Sequence, residues 1–193
     1  MSRQRPNPSR KIRMTIRKPE RKPRAPSKGK AARRPKARSG AAESAVGARV
    51  QRAFMVLKRV AVGPPKIGIV PGSGLGPLAA RVAVRAEIST SALPGYPPST
   101  VEGHEGRFVF GRLGGRDVCL LKGRLHGYEG YTLDEVTLPI RLMALIGIKT
   151  LILTNAAGGI AAGFAPGDLM LIDDHLNLQG RSPLCGPNQA DWG

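Results

Sequence analysis

The 193-residue sequence has few aromatic side chains, only two cysteines and no long apolar run. Cys119 and Cys185 lie far apart, which excludes a disulfide framework and the paired-cysteine spacing of zinc sites. The chain has neither the run of about 18 apolar residues that a membrane-spanning helix needs nor a hydrophobic signal core. These absences predict a protein of the reducing cytoplasm without a membrane partner.

Acidic residues are nearly absent from the first 40 positions. This segment holds 16 of the 31 Lys and Arg residues, one of the 13 Asp and Glu residues and no aromatic residue, and its net charge is +15. Such a composition cannot bury enough apolar surface to offset the entropy lost on ordering. We therefore expect residues 1–43 to be a disordered tail rich in Arg, Lys and Pro.

Two functional alternatives for this tail stay open, a nucleic-acid-binding arm and an organelle transit peptide, because both favour Arg-rich, acid-poor sequence. The missing aromatic rings argue against a single-strand-binding arm, which stacks bases on aromatic side chains.

Residues 44–193 have the pattern of a globular domain in which strands and helices alternate. The predicted strands are apolar throughout, which is typical of strands buried on both faces, so the fold class is α/β with a mixed, mostly parallel sheet between helices. The predicted helices are 44–61, 78–84 after Pro77, and one that Thr132 and Glu135 open as a capping box; the predicted strands are 66–70, 107–112, 117–122, 149–154 and 169–173.

A glycine-rich loop, Gly72-Ser73-Gly74-Leu75-Gly76, follows the first predicted strand. Free backbone N–H groups at such a place favour an anion. Pro77 occupies a position where the dinucleotide fingerprint needs glycine, and the Gly-Lys-Ser/Thr of the P-loop is absent. The loop therefore favours a small phosphate with Ser73 as hydroxyl donor, the alternative being a tight strand-to-helix turn.

A second cluster is Gly123-Arg-Leu-His-Gly-Tyr-Glu-Gly-Tyr131. In an extended segment Arg124, His126 and Tyr128 project to one side, because side chains alternate with period two. An Arg fork, a His donor and a Tyr ring suit a phosphorylated or sugar ligand, whereas the alternative is a solvated loop. His104, in Glu-Gly-His-Glu-Gly, is a further histidine between glycines.

Two more polar clusters follow later strands. In Thr154-Asn155-Ala156-Ala157-Gly158-Gly159 the small residues let backbone approach a ligand, and Asn155 either bonds that ligand or closes an Asx-turn. Asp173, Asp174 and His175 lack a third ligand at usable spacing, so we expect no metal.

Five segments in this order, GSGLG, GHEGR, KGRLHGYEGY, TNAAGGI and LIDDHLNLQG, resemble the trimeric type of purine nucleoside phosphorylase. The resemblance implies phosphorolysis, in which phosphate attacks the anomeric carbon of a purine nucleoside and releases base and pentose 1-phosphate, in purine salvage and without a cofactor. It also implies a homotrimer. Residues 128–131 and 156–159 favour this branch over the similar methylthioadenosine phosphorylases, which remain an alternative, as does a non-catalytic binding protein.

The same resemblance implies roles for individual residues. Phosphate is expected at Ser73, His104, Arg124, His126 and the backbone of Ala156, and the nucleoside at Tyr128, Asn155 and Ala157. No catalytic residue is assigned, because the family's acid and amide would lie beyond the end of this chain. Residues 183–188 follow the family and residues 189–193 do not, so we expect a truncated form with little or no phosphorolysis activity.

The first prediction concerns the composition break near Gly40. Because the basic tail cannot bury an apolar core, limited trypsin digestion should remove it and leave a resistant fragment that starts between Ala41 and Val60, as mass spectrometry would show. A tail that stays intact while the domain is cleaved would contradict the expectation.

Overall fold

The structure, a computed structural model, describes residues 40–99 and 106–185, and the side chains of these ranges from residue 46 onward. Residues 1–39 of the predicted tail and His104 lie outside the described residues, as do the last eight positions of the chain. Residues 40–43, which were also expected in the tail, are helical.

The centre of the fold is a five-stranded mixed sheet with the order β2-β3-β4-β1-β5. Its strands are β1 (Ile67–Val70), β2 (Ala83–Ser89), β3 (Arg107–Leu113), β4 (Arg116–Lys122) and β5 (Thr150–Leu153). Strand β1 pairs in parallel with both β4 and β5, whereas β2 with β3 and β3 with β4 are antiparallel. The predicted hairpin and the strands predicted over 66–70 and 149–154 are confirmed, and β1 is buried as expected. The expected burial of the second strand is wrong: β5 is the edge strand of the sheet, and most of its residues are exposed within the described part of the chain.

Two α-helices cover one face of this sheet. Helix α1 spans Gly40–Val60, four residues longer at its start than the pattern indicated, and α2 spans Leu133–Leu145. Apolar side chains recur on α1 at helical spacing, and the buried ones face the sheet. The fully buried residues of this layer include Val50, Ala53 and Leu57 of α1, Phe108 and Phe110 of β3, Cys119 and Leu121 of β4, and Leu138, Leu142 and Met143 of α2.

The other face of the sheet buries a smaller cluster. Ile69, Val109, Val118 and Leu120 are at most 6% exposed and contact Leu78 and Ala79 of a short 3₁₀ helix, Gly76–Arg81. Further 3₁₀ turns span Thr90–Ala92 and Gly127–Glu129. The mixed sheet flanked by helical segments is confirmed, with parallel and antiparallel pairings equal in number within the described residues.

The start of α2 has the predicted capping box. Thr132 Oγ1 accepts the Glu135 N–H (3.3 Å), and Glu135 Oε2 accepts the Thr132 N–H (2.9 Å). Glu135 Oε1 also lies 3.2 Å from Nη1 of Arg49, which connects α2 to α1. The hydrogen bond from the Thr132 backbone holds the pKa of Glu135 below its ordinary value, and Arg49 lowers it further.

Two predicted elements are wrong. The helix expected over 78–84 is only the 3₁₀ helix Gly76–Arg81, and residues 83–84 belong to β2, which pairs along β3. Here pairing with β3 outweighs the local helix preference. The strand expected over 169–173 does not form: Leu169 and Leu171 are 98% and 94% exposed, and no strand pairs with this stretch in the described part of the chain.

Within the described ranges, no helix combines the length and apolar character needed to cross a membrane.

The second prediction concerns Glu135. Replacing it by alanine (Glu135→Ala) removes half of the capping box and should lower the free energy of unfolding by about 1 kcal/mol at neutral pH. Because the folded-state pKa is lowered, the difference should persist above the ordinary carboxyl pKa of about 4.3 and shrink as the pH falls through the folded value. Urea unfolding followed by circular dichroism at several pH values measures it.

Glu87→Ala is the matched control, since Glu87 forms an ion pair with Arg107 on the protein surface. It should change the free energy of unfolding by less than about 0.5 kcal/mol. If both variants lose the same free energy of unfolding, the capping box contributes no more stability than a surface ion pair does.

Candidate functional site

The predicted site residues that the structure describes belong to three loops at one edge of the sheet. Because β1, β4 and β5 are mutually parallel, their carboxyl ends meet there, and residues 71–76, 123–132 and 154–159 follow them. In α/β sheets, ligands bind outside the carboxyl ends of the strands. The topology thus brings together segments that lie more than 80 positions apart in the sequence.

The first loop is a tight turn. Gly72 O accepts the Leu75 N–H (3.2 Å), and Gly74 has φ +85°, a conformation that glycine adopts without strain. Ser73 is exposed at the second position of this turn. Pro77 lies in the first turn of the following helix as predicted, but that helix is a single 3₁₀ segment, so its dipole contributes little here.

Gly72 is in close contact with the third loop. A Cβ atom on Gly72 would lie 2.3 Å from the carbonyl oxygen of Thr154 and 2.8 Å from Cα of Asn155. Both are backbone atoms, which could make room only if the loop itself shifted, so this position requires glycine. The glycine of the motif is thus explained by the approach of two backbones rather than by the turn alone.

Thr154 connects all three loops. Its Oγ1 accepts the Gly72 N–H (2.7 Å), its carbonyl oxygen accepts Nη1–H of Arg124 (3.3 Å), and its own N–H donates to Val70 O (3.2 Å). A single residue therefore holds the turn after β1 and the arginine after β4 at fixed positions.

Arg124 and His126 are adjacent, as the spacing predicts. Nε of Arg124 donates to Nε2 of His126 (3.1 Å), which requires that Nε2 carry no proton. The ring proton then lies on Nδ1, which donates to Oε1 of Glu129 (2.9 Å). The same carboxylate oxygen accepts the His126 backbone N–H (2.7 Å), and the Glu129 side chain is only 2% exposed. A buried carboxylate thus sets both the tautomer and the orientation of the imidazole.

Tyr128 lies beside His126 as expected, but in a backbone conformation that differs from the predicted one. The backbone of His126 is extended, but a 3₁₀ turn covers the residues that follow it, Gly127–Glu129. The Tyr128 ring stacks on the imidazole of His126 at a centroid distance of 4.6 Å and is 78% exposed. The predicted proximity of the three side chains is found, although period-two alternation does not produce it beyond His126.

The third loop leaves most of its predicted residues open to solvent. Asn155, Ala156 and Ala157 are exposed, and within the described residues Nδ2 of Asn155 donates to one acceptor, the neighbouring carbonyl oxygen of Ala156 (3.4 Å). No ligand contact tests the expected roles of these residues, which remain predictions. The role expected of His104 also remains a prediction, since that residue lies outside the described ranges.

Sequence reasoning missed two residues of this site, Glu129 and Thr154. Glu129 stands three positions after His126, a spacing at which a side chain can reach back to the start of a turn. That spacing was available as a signal. Thr154 acts through contacts with Gly72, 82 positions away in the sequence, and with Arg124, 30 positions away. No local sequence pattern therefore indicates its role.

The chemistry of these groups suits an anion. A guanidinium, a serine hydroxyl and backbone N–H groups of a turn are donors that phosphate oxygens accept. Asp173, Asp174 and His175 are exposed, and the described residues contain no group of three or more His, Cys, Asp or Glu side chains placed to hold a metal ion.

Comparison with known proteins shows the family to which the chain belongs. The sequence profile of the Phosphorylase superfamily matches residues 66–191. Purine nucleoside phosphorylase 1 of Bacillus subtilis is 47% identical over 145 residues, which are 75% of this chain and 54% of that protein. Purine nucleoside phosphorylase of Rattus norvegicus is 47% identical over 132 residues, 67% of this chain and 46% of its own length.

A solved structure is similar as well. Isoform 2 of purine nucleoside phosphorylase from Schistosoma mansoni, crystallised with cytosine and ribose-1-phosphate, aligns with a TM-score of 0.69 at 42% identity. The alignment covers 76% of this chain and 52% of that one. The resemblance of the five motifs is confirmed, and the chain spans about half the length of the curated relatives it matches.

The third prediction tests Thr154. Thr154→Val keeps the shape of the side chain but removes the oxygen that accepts the Gly72 N–H, and a hydrogen bond of this kind contributes about 1 kcal/mol. We expect amide hydrogen exchange at Gly72, followed by NMR, to accelerate by about five- to tenfold.

Thr154→Ser, which keeps the hydroxyl, is the matched control and should preserve the slow exchange. If the valine and serine variants exchange alike, the side-chain bond does not hold the turn.

Proposed function

The chain belongs to the phosphorylase superfamily, and from this premise we propose that it carries the phosphate-binding part of a purine nucleoside phosphorylase. The reaction is the phosphorolysis of purine ribonucleosides and deoxyribonucleosides to free base and pentose 1-phosphate. By reaction type the complete enzyme is a pentosyltransferase.

The observation that carries the proposal is the convergence of Gly72, Arg124 and Thr154 at the carboxyl edge of the sheet. Two of these residues donate to the third within 3.3 Å. The turn and the arginine are thereby ordered before any ligand arrives, so an anion would not have to offset the entropy of ordering them. Ser73 is exposed at the middle of the turn, where its hydroxyl reaches solvent and hence an incoming phosphate.

Phosphorolysis requires hydrogen-bond donors that are ordered before phosphate binds. A phosphate dianion must be held beneath the anomeric carbon while positive charge develops on the sugar, and donors fixed in advance lower this barrier more than mobile ones. Arg124, Ser73, His126 and the backbone of Ala156 are the proposed phosphate ligands, with His104 beside them. Tyr128, Asn155 and Ala157 are proposed to meet the nucleoside.

His126 needs a change of protonation to donate to phosphate. In the observed hydrogen bonds its Nε2 accepts from Arg124 while Nδ1 donates to Glu129. Phosphate would take over the Arg124 donor, and His126 Nε2 would then donate if the ring gains a proton there. Glu129 keeps its bond to Nδ1 in both states, so it orients the ring throughout.

Inorganic phosphate is proposed as a substrate, and no cofactor is required, because the attacking group is phosphate itself and no redox step occurs. The solved relative that binds ribose-1-phosphate supports this substrate class. By resemblance to the family, we further propose that the complete protein is a cytoplasmic homotrimer that acts in purine salvage.

Two alternatives have different substrates. A methylthioadenosine phosphorylase-like enzyme would cleave methylthioadenosine in preference to inosine or guanosine. A non-catalytic protein that retains the phosphate site would bind phosphate and cleave neither nucleoside. Base release from each nucleoside, with and without phosphate, distinguishes the three when the complete protein is assayed.

The fourth prediction concerns Arg124. In isothermal titration with phosphate, Arg124→Ala should weaken binding by tenfold or more, because a hydrogen bond to a charged group contributes about 1.5 to 3 kcal/mol. The phosphate dependence of base release by the complete protein should shift to higher concentration by a similar factor.

Arg112→Ala is the matched control, since Arg112 donates to Gly115 O in the β3–β4 hairpin and lies in no part of the candidate site. It should leave phosphate binding unchanged. If Arg124→Ala binds phosphate as tightly as the unaltered chain does, the phosphate assignment is wrong.

A further inference from the structure

Strand β5 is an edge strand, and in the part of the chain that the structure describes it pairs on one side only, with β1. The N–H groups of Thr150 and Thr154 donate to carbonyl oxygens of β1 and of the residue before it, at 2.9 and 3.2 Å. Because successive residues of a strand direct their N–H and C=O groups to opposite sides, those of Leu151 and Leu153 point away from β1. The outer side of β5 is therefore a row of backbone donors and acceptors with which another strand can pair.

The two edges of the sheet differ in how well they resist further pairing. Charged side chains, prolines and β-bulges commonly protect an edge strand. At the opposite edge, β2 exposes Arg85 and Glu87, and its register shifts between Val84 and Ala86. In contrast, residues 150–155 contain no charged residue, proline or glycine. The edge at β5 thus lacks the features that protect the edge at β2.

The side chains of β5 leave apolar surface in contact with water. Ile152 and Leu153 are 44% and 63% exposed. Leu151 packs against the core beneath the two helices, and Leu153 lies on the same face of the sheet because side chains alternate with period two. A strand added beside β5 would remove part of this apolar surface from water, which is favourable.

The sequence of β5 with the residue after it reads the same in both directions, Thr150-Leu151-Ile152-Leu153-Thr154. Two copies of this strand that pair antiparallel about a two-fold axis therefore set residues of the same type opposite each other. With the axis at Ile152, Leu151 lies opposite Leu153 of the second copy, and Thr150 lies opposite Thr154. Apolar pairs and Thr–Thr pairs that lie directly opposite stabilise antiparallel strands.

The same register satisfies the outward backbone groups. In an antiparallel pair, opposite residues alternate between those that exchange two hydrogen bonds and those that exchange none. Leu151 and Leu153 have the outward groups and lie opposite each other, so they take the hydrogen-bonded positions. Ile152 then takes the position where opposite side chains are closest. Lys149 lies opposite Asn155, so no like charges meet in this stretch.

We propose that β5 pairs with β5 of a second copy of this chain, antiparallel and centred on Ile152, so that the two sheets join across a two-fold axis. An interface of this symmetry uses the same surface on both copies. The paired stretch 150–154 is about 16 Å long. So short a contact buries less than the roughly 1,200–2,000 Å² of a stable interface, and we expect a dimer that dissociates on dilution between about 100 and 1 μM.

Another segment of the same chain is the competing occupant of this edge. Residues 169–173 were expected to form a strand, but Leu169 and Leu171 are almost fully exposed, and no strand pairs with them within the described ranges. If this segment covered β5, the chain would stay a monomer. The self-complementary sequence of residues 150–154 favours the second copy, and this inference does not depend on the phosphate assignment or on the proposed trimer.

Sedimentation equilibrium of the full 193-residue chain across this concentration range tests the proposal, and we expect an equilibrium between monomer and dimer. Ile152 faces itself across the axis, so Ile152→Lys brings like charges together and should weaken dimerisation by about tenfold or more. Ile152→Glu should do the same, whereas an equimolar mixture of the two variants should dimerise again because opposite charges then meet. Val84→Lys, which alters an exposed apolar residue of β2, is the matched control and should dimerise like the unaltered chain.

Amide hydrogen exchange of the unaltered chain, followed by NMR, gives a second measurement that does not depend on the folding of a variant. Exchange at Leu151 and Leu153 should slow by about tenfold when the chain is concentrated from monomer to dimer, because these amides are bonded only in the dimer. A chain that stays monomeric, or these two amides protected equally at every concentration, would overturn the proposal. Larger aggregates in place of a dimer would overturn the closed two-fold pairing, and a mixture of folded Lys and Glu variants that does not associate would overturn the register.

Discussion

The parallel pairing of β1 with both β4 and β5 is the constraint on which the rest of the molecule depends. It brings three strand ends to one edge of the sheet and three strand starts to the other. Loops with unrelated sequences thereby become neighbours, and hydrogen bonds of Thr154 then connect them. Burial of Ile69 and Leu120 on one face and of Phe108, Phe110 and Cys119 on the other makes this pairing stable in water.

The proposed phosphate ligands Arg124 and His126 are positioned by residues outside the proposed set of ligands. Thr154 holds the turn at Gly72 and the guanidinium of Arg124, and the buried Glu129 holds the ring of His126. Such support matters because donors that are already ordered lose little entropy on binding. Among the residues that the structure describes, the exposed Asn155, Ala156 and Ala157 have no comparable support.

The sequence by itself determined the elements whose signals are local. Apolar runs determined β1 and β5, the Thr132 and Glu135 capping box determined the start of α2, and ordered motifs determined the family. Only the tertiary structure decided that residues 83–84 join a strand, because pairing with β3 outweighs local preference, and that residues 169–173 do not, because a strand needs a partner. The site followed the same division: Arg124 and His126 are near each other in sequence, whereas the role of Thr154 arises from contacts across the sheet that no local pattern encodes.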